Sequence, residues 1–337
     1  MTTCFDGVTA PEALDDELWR VFTRVIQHDT GVREGECAVA VDDYRVESFM
    51  HEVAVPLLRS YGATTNVDDM NNVVATFGPL SGNELLFVTY PVSHHGNTTP
   101  EPLSARRSVI AERTAWIGVG ASQGKGALAS VCAALGAATK EGINLAGRVA
   151  VAVCSEGSSS HASSASLYKG LARRPAGAIV SMGTGNRLCI ATRGRVDISV
   201  VIHGSAVHTS SARTDENPIP VLRRDLERLE TLTPVGQKAH ESLGMRRTMP
   251  YRLSCGPVYP HTTPDHIELT LDCRTLPGDD PTALVSMCAM LLRGLPVTVR
   301  QGATMMPAQT DQDSNLVTRI QQASVEALGS PLETFCP

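Results

Sequence analysis

Apolar residues along this chain recur in two rhythms. Val46, Met50, Val53, Ala54, Leu57 and Leu58 return at the three- and four-residue spacing of one helix face, and Gly62 closes the pattern. Residues 72–77 and 85–92 then read as strands. The Ala-rich run 127–139, preceded by Gly124-Lys125-Gly126, predicts a buried helix, and 148–154 another apolar strand. A Ser-rich helix over 159–171 and two short strands over 178–181 and 188–192 follow. Strands alternating with helices predict an α/β domain with a mainly parallel sheet and flanking helices.

Beyond Gly194 the rhythm changes. Residues 196–203 alternate as a strand with one buried face, and 218–232 form a charged amphipathic helix. Strands over 251–258 and 267–276, a helix over 281–292 and a strand over 296–300 complete a βαββαβ order, which is ferredoxin-like. The expected organisation is an α/β domain made of 1–193 and 302–337, interrupted by a compact insert over 194–301. A last helix over 314–329 returns to the first domain.

Composition narrows the function. The chain has 337 residues, 42% hydrophobic and 19% charged, enough for two separate cores. A net charge of −6 and a pI near 5.9 leave no basic stripe for a nucleic acid or an anionic membrane. No apolar run reaches the length of a membrane span, and no secretion signal is visible, so a cytoplasmic protein is expected. Nine cysteines, an odd number without C-x-x-C spacing, read as buried small hydrophobes in a reducing compartment.

Three ordered motifs carry a resemblance. They are His95-Gly96-Asn97-Thr98-Thr99-Pro100, the run Gly118-Val119-Gly120-Ala121-Ser122-Gln123-Gly124-Lys125-Gly126, and Leu271-Asp272-Cys273-Arg274-Thr275-Leu276-Pro277-Gly278. Together with Arg193-Gly194 and Gly204-Ser205-Ala206-Val207-His208, they resemble the zinc-dependent family of acetylornithine deacetylases, succinyl-diaminopimelate desuccinylases and glutamate carboxypeptidases. The resemblance implies a two-zinc site at the carboxyl ends of the sheet strands, and an inserted lid that dimerises and grips the substrate.

Residue by residue, the metal donors are missing. Such a site needs carboxylates and neutral imidazoles around each cation. His95 matches the first ligand, but the next carboxylate is Asn97 and the bridging one is Gln123. The acidic pair falls at Gly157-Ser158 or, one step back, at Ser155-Glu156, and a further ligand falls near Gly183. No metal and no other cofactor is therefore expected. The titratable groups left there are His94, His95, Glu156 and His161. Of these His95, Glu156 and His161 are the candidates for a general base, the alternative being polar fillers satisfied by backbone.

The insert keeps its equivalents of the family's anion grip: His208, His261 in place of an Asn, and Arg274. Lys125, Gln123 and Asn97 are further candidates for anion or substrate contact. The plainer reading has His208 capping a turn and Arg274 pairing with Asp272 or Asp279. Two other motifs compete. Gly120-Ala121-Ser122-Gln123-Gly124 fits the G-x-S-x-G nucleophile elbow, and Gly124-Lys125 is a fragment of a phosphate-binding loop.

An anion grip plus a base without a Lewis acid suits displacement of an anionic leaving group by an internal amine. The lost ligands, with the family's late His segment absent before Pro337, resemble the deacetylase-like subunit of aziridine-forming enzymes in azinomycin-type antibiotic pathways, which eliminate sulfate. That resemblance implies a second, smaller polypeptide completing the α/β domain, homodimerisation through the lid, and a substrate on a small acidic carrier protein. A non-catalytic partner subunit and a zinc-dependent deacylase or peptidase are the alternatives.

Overall fold

A computed structural model describes residues 12–33, 36, 39–40, 42–79, 81–93, 99–157, 161–229, 232 and 239–336. The chain divides into unit 1, Met1–Asn186 with Ile320–Pro331, and unit 2, Arg187–Arg319 with Leu332–Pro337. Unit 2 takes in residues 187–193 and 302–319 because β9 (Ala191–Thr192) pairs with β14 (Ala308–Gln309).

Unit 1 is built on a five-stranded sheet of β1 (Thr64–Val67), β2 (Val73–Phe77), β3 (Glu84–Thr89), β6 (Arg148–Val153) and β7 (Gly177–Val180), ordered β1-β2-β6-β3-β7. Strands β6, β3 and β7 run parallel, whereas β1 and β2 join antiparallel at one edge. The sheet is thus mixed, with a parallel half and an antiparallel ribbon that the sequence pattern did not separate. Both faces are covered, as expected when buried strands carry apolar residues on each side. Val151 and Val153 pack in the cluster with Phe49, Leu57, Leu58, Leu128 and Cys132. The alternating Ala150, Ala152 and Cys154 pack with Leu86 and Leu167.

The first predicted helix is present as a continuous run with a local change of pitch. It comprises α2 (Tyr44–Ser48), a π-helical turn (Phe49–Ala54) and α3 (Val55–Ser60). Pro56 lies at the start of α3. It has no N–H to give and its ring crowds the carbonyl four residues back, so the ladder widens, and the Val55 N–H reaches the carbonyl of Met50. Helix α4 (Gly124–Lys140) and helix α5 (Ala162–Gly170) fall where the sequence places them.

Several elements were not read from the sequence, among them β1, the ribbon of β4 (Arg106–Ile110) with β5 (Arg113–Ile117), and α1 (Glu12–Ile26). Helix α1 is fixed to the fold by Glu17, a buried carboxylate that accepts from Arg20 at 2.6 Å, from Lys140 of α4 at 2.8 Å and from the Tyr61 hydroxyl. The Arg20 hydrogen bond is the chief reason that Glu17 titrates near 2 instead of 4.5. The unfolded chain therefore takes up a proton first on acidification, and the contribution of this group, full above pH 4.5, is lost as the pH falls toward 2. Arg20 and Lys140 are 51% and 65% exposed, so solvent screens the network. We expect Glu17→Gln to lower unfolding stability at pH 7 by about 1–2 kcal/mol, with the gap closing by pH 2 in denaturant titrations.

Unit 2 holds the βαββαβ order: β10 (Gly194–His203), α6 (Ile219–Leu229), β11 (Arg247–Gly256), β12 (His266–Thr275), α7 (Pro281–Leu291) and β13 (Val297–Met305). The strands form an antiparallel sheet ordered β11-β12-β10-β13. Val196, Ile198, Val200 and Ile202 alternate onto its covered face against Leu284 and Cys288 of α7. The expected strand 188–192 is instead two short pairings, β8 (Leu188–Cys189) with β15 (Thr334–Phe335), and β9 with β14. Helix α8 (Asn315–Leu328) contains the boundary between the units. Among the described residues no helix is long and apolar enough to cross a membrane.

Candidate functional site

In open α/β sheets, ligands bind outside the carboxyl ends of the parallel strands. In unit 1 those ends lead into Tyr90–Ser93 after β3, Cys154–Gly157 after β6 and Ser181–Gly183 after β7. Backbones meet very closely here. A Cβ on Gly124, the first residue of α4, would lie 1.9 Å from the Tyr90 carbonyl oxygen, and one on Gly183 would lie 2.0 Å from that of Ser122. On Gly157 it would lie 3.1 Å from Cβ of Val92.

A buried polar scaffold fixes the turn from β6 to α5. Asn72 donates to Asp68 at 2.7 Å and to the Ser163 carbonyl at 3.0 Å, while its own oxygen accepts the Ser155 N–H at 2.9 Å. Glu156 lies in this turn, and its Oε2 accepts the Ser163 N–H at 2.7 Å, compensating the open end of α5. His161 sits at the N-cap of α5 without a side-chain cap bond. Its Nε2 is buried and has no hydrogen-bond partner among the described residues. Gln123 occupies the N-cap of α4, and its side chain makes no cap bond there. His94, His95, Asn97 and Ser158 lie outside the described residues.

Lys125 is not placed to meet an anion. It is 0% exposed, its Nζ donates to the His28 carbonyl, and its stem runs past Gly120 and Ser93. The first turn of α4 tucks under the strand ends, so a Gly-Lys-Gly stretch that reads as an open loop is interior. Burial lowers the Lys125 ammonium from 10.5 to about 8, with the Asp29 carboxylate opposing the shift. The phosphate-loop reading fails on the same ground. The serine elbow fails too: Ser122 is exposed, but β5 pairs with β4 in a separate ribbon, so no strand of the central sheet leads into it.

Among the described residues, which exclude His94 and His95, the donors do not make up a two-metal centre. Among the described residues no three His, Cys, Asp or Glu side chains come together as a cation requires. At Gly183 the obstacle is steric as well as chemical, because any side chain would strike the Ser122 backbone.

Unit 2 carries its own constellation. A β-bridge joins His208 to Thr262, the Thr209 N–H donates to the His261 carbonyl at 2.8 Å, and the rings of His208 and His261 lie 6.2 Å apart, tilted by 33°. His208 Nδ1 lies 2.8 Å from Ser210 Oγ and 3.3 Å from the Ser210 N–H, and the residue is exposed. His261 adopts φ +53°, a left-handed conformation that a residue with a side chain seldom takes and that often accompanies functional loops. Arg274 is engaged elsewhere: its Nε and Nη2 donate to Asp272 at 2.7 and 2.8 Å, closing the guanidinium fork. The plainer expectation for Arg274 is the arrangement found.

No protein-family model matches the sequence, and no curated protein matches it significantly. The fold is similar to that of several solved peptidases. The similar solved structures include the novel di-peptidase Dug1p from Saccharomyces cerevisiae (13% identity, covering 96% of this chain and 85% of that one, TM-score 0.74). Human carnosine dipeptidase 1 is similar at 14% identity, with 96% and 85% covered and a TM-score of 0.71. The M20 family metallo-carboxypeptidase Sso-CP2 from Sulfolobus solfataricus is similar at 14% identity, with 97% and 86% covered and a TM-score of 0.70. At such identities the likeness is one of fold.

Proposed function

We propose that the chain is a peptidase-like enzyme subunit that acts on an amino-acid substrate by non-hydrolytic chemistry. It closes a small nitrogen ring as an anionic group such as sulfate departs. The single observation that carries this reading is the donor set. Carboxylates give way to Gln123 and glycines at the strand ends, one of which has no room for a side chain, while titratable groups suited to proton transfer remain. In the step, the amine nitrogen bonds to the carbon bearing the leaving group, the C–O bond breaks with its electrons going to sulfate, and the ammonium proton passes to a base.

His161 is the base we favour in unit 1, since its Nε2 has no partner among the described residues whereas Glu156 holds the end of α5. In unit 2, His208 and His261, whose rings lie 6.2 Å apart, are the groups we favour for meeting an anion. The engagement of Glu156 and Arg274 in internal bonds favours a second reading, a non-catalytic binding subunit. A zinc-dependent deacylase or peptidase is the third, and the names of the similar structures include dipeptidases and a metallo-carboxypeptidase.

The experiment offers the purified protein an amino acid bearing an amine beside a sulfate ester, with and without a chelator. The expected product has lost sulfuric acid, has gained no water, and forms equally with chelator. His161→Ala and His208→Ala each slow it by roughly a hundredfold or more. A hydrated product abolished by chelation indicates the hydrolase, and substrate binding with no product indicates the binding subunit. Either result overturns the proposal.

A further inference from the structure

Helix α6 presents Val221, Asp225 and Leu229 as its buried stripe. Two of these belong in an apolar core, and the middle one is a carboxylic acid that is 0% exposed. Neither Asp225 oxygen has a hydrogen-bond partner among the described residues. An isolated carboxylate without partners is among the costliest groups a core can hold, whereas the protonated acid is far cheaper to bury. The described surroundings offer the carboxyl no hydrogen bond. Arg224 and Arg228, on α6 itself, lower its pKa only through space, and Arg228 donates to the carbonyls of Leu291 and Arg293 at 3.2 Å. From α7 the nearby titratable group is Cys288, which also neighbours Cys273 of β12. Burial raises these thiols to about 12 and about 11, so both are neutral wherever Asp225 titrates.

We infer that α6 is a pH-gated element of unit 2: it stays docked on the sheet while the Asp225 carboxyl carries a proton, and loosens when that carboxyl ionises. Burial raises the group from 3.8 to about 6, against the weaker pull of Arg228 and Arg224. A raised carboxyl means that the docked state binds more protons than the released state between those two values. Docking is therefore strongest below pH 4 and weakens through pH 6. A shift of about two pH units corresponds to roughly a hundredfold change in the docking equilibrium. The gate does not depend on the reaction proposed above.

Amide exchange of residues 219–229 on the full chain, corrected for intrinsic rates and compared with α7 between pH 4.5 and 8, tests this. The opening constant of α6 should rise steeply toward pH 6.5 and then level off, while α7 changes little. Asp225→Asn and Asp225→Leu should remove the slope and hold α6 closed at pH 8. An unchanged slope in both variants, or an α6 that tracks α7 throughout, overturns the inference. Should the variants fail to fold, the carboxyl-carbon resonance of Asp225 in the native chain decides: a midpoint near 6 supports the gate, and one near 4 refutes it.

Discussion

Gly124→Ala is expected to cost unit 1 about 3 kcal/mol or more, among the largest effects of any single methyl in the chain. The new carbon would lie 1.9 Å from the Tyr90 carbonyl oxygen and 2.9 Å from its carbonyl carbon, which are backbone atoms with no rotamer to yield. Relief would require α4 to withdraw from the end of β3, breaking the 3.0 Å bond from Thr89 Oγ1 to the Gly124 carbonyl. Gly62→Ala is the control. Its φ is +87° but nothing lies within 4 Å of the added carbon, so only the backbone penalty of about 1 kcal/mol remains. Denaturant midpoints of the two variants measure the difference. Equal losses would mean that the close approach of α4 to Tyr90 is wrong.

The second large effect concerns pH. Below pH 8 folding forces Lys125 to hold a charge in the interior, on the second residue of a helix whose positive end repels it. Its folded value near 8 lies below the free value of 10.5, so between these limits the unfolded chain binds more protons than the folded one. Stability from this group therefore rises with pH across the window, by about 3 kcal/mol in all. Buried Cys132 and Cys288, raised to about 12, act in the opposite sense above pH 9. The quantity to measure is thus native chain minus Lys125→Met. We expect the two proteins to lie within about 2 kcal/mol at pH 7, since the variant sheds a buried charge but leaves the His28 carbonyl unsatisfied. The native chain should then gain on the variant up to pH 10.5. A flat difference would show that the ammonium is not buried as described.

Both predictions concern a segment whose sequence is misleading, and the reason is physical. Period and apolar content locate α4, α7 and β10, because those elements bury a regular face against one partner. Helix α1 escaped because Glu12-Ala13-Leu14-Asp15-Asp16-Glu17 opens it with charge, and Val21, Phe22, Val25 and Ile26 form too short an apolar stretch to stand out alone. The ribbon of β4 and β5 escaped because its strands pair only with each other and its cross-chain partners, Trp19 stacked under Arg107 and edge-on to Trp116, are remote in sequence.

At the candidate site, residue types were legible and their engagements were not. The family resemblance put His208 and His261 in one anion grip, and their rings lie 6.2 Å apart. Nothing in the sequence distinguishes an Arg274 open to a ligand from one closed on Asp272 two residues away on the same strand. Asn72 gave no signal as a polar hub, since it reads as the first residue of a strand, and only the fold shows it bonded to Asp68 and Ser163.

The 2.0 Å approach that a Cβ at Gly183 would make to the Ser122 carbonyl oxygen has a consequence for engineering. An acidic side chain placed at 183 requires a retreat of the 120–124 loop, which is itself pinned by Gly124 against Tyr90 and Gly126 against Ala121. A lone carboxylate introduced there would damage folding before it served as a ligand, so a designed cation centre at these strand ends needs the loop rebuilt in the same step.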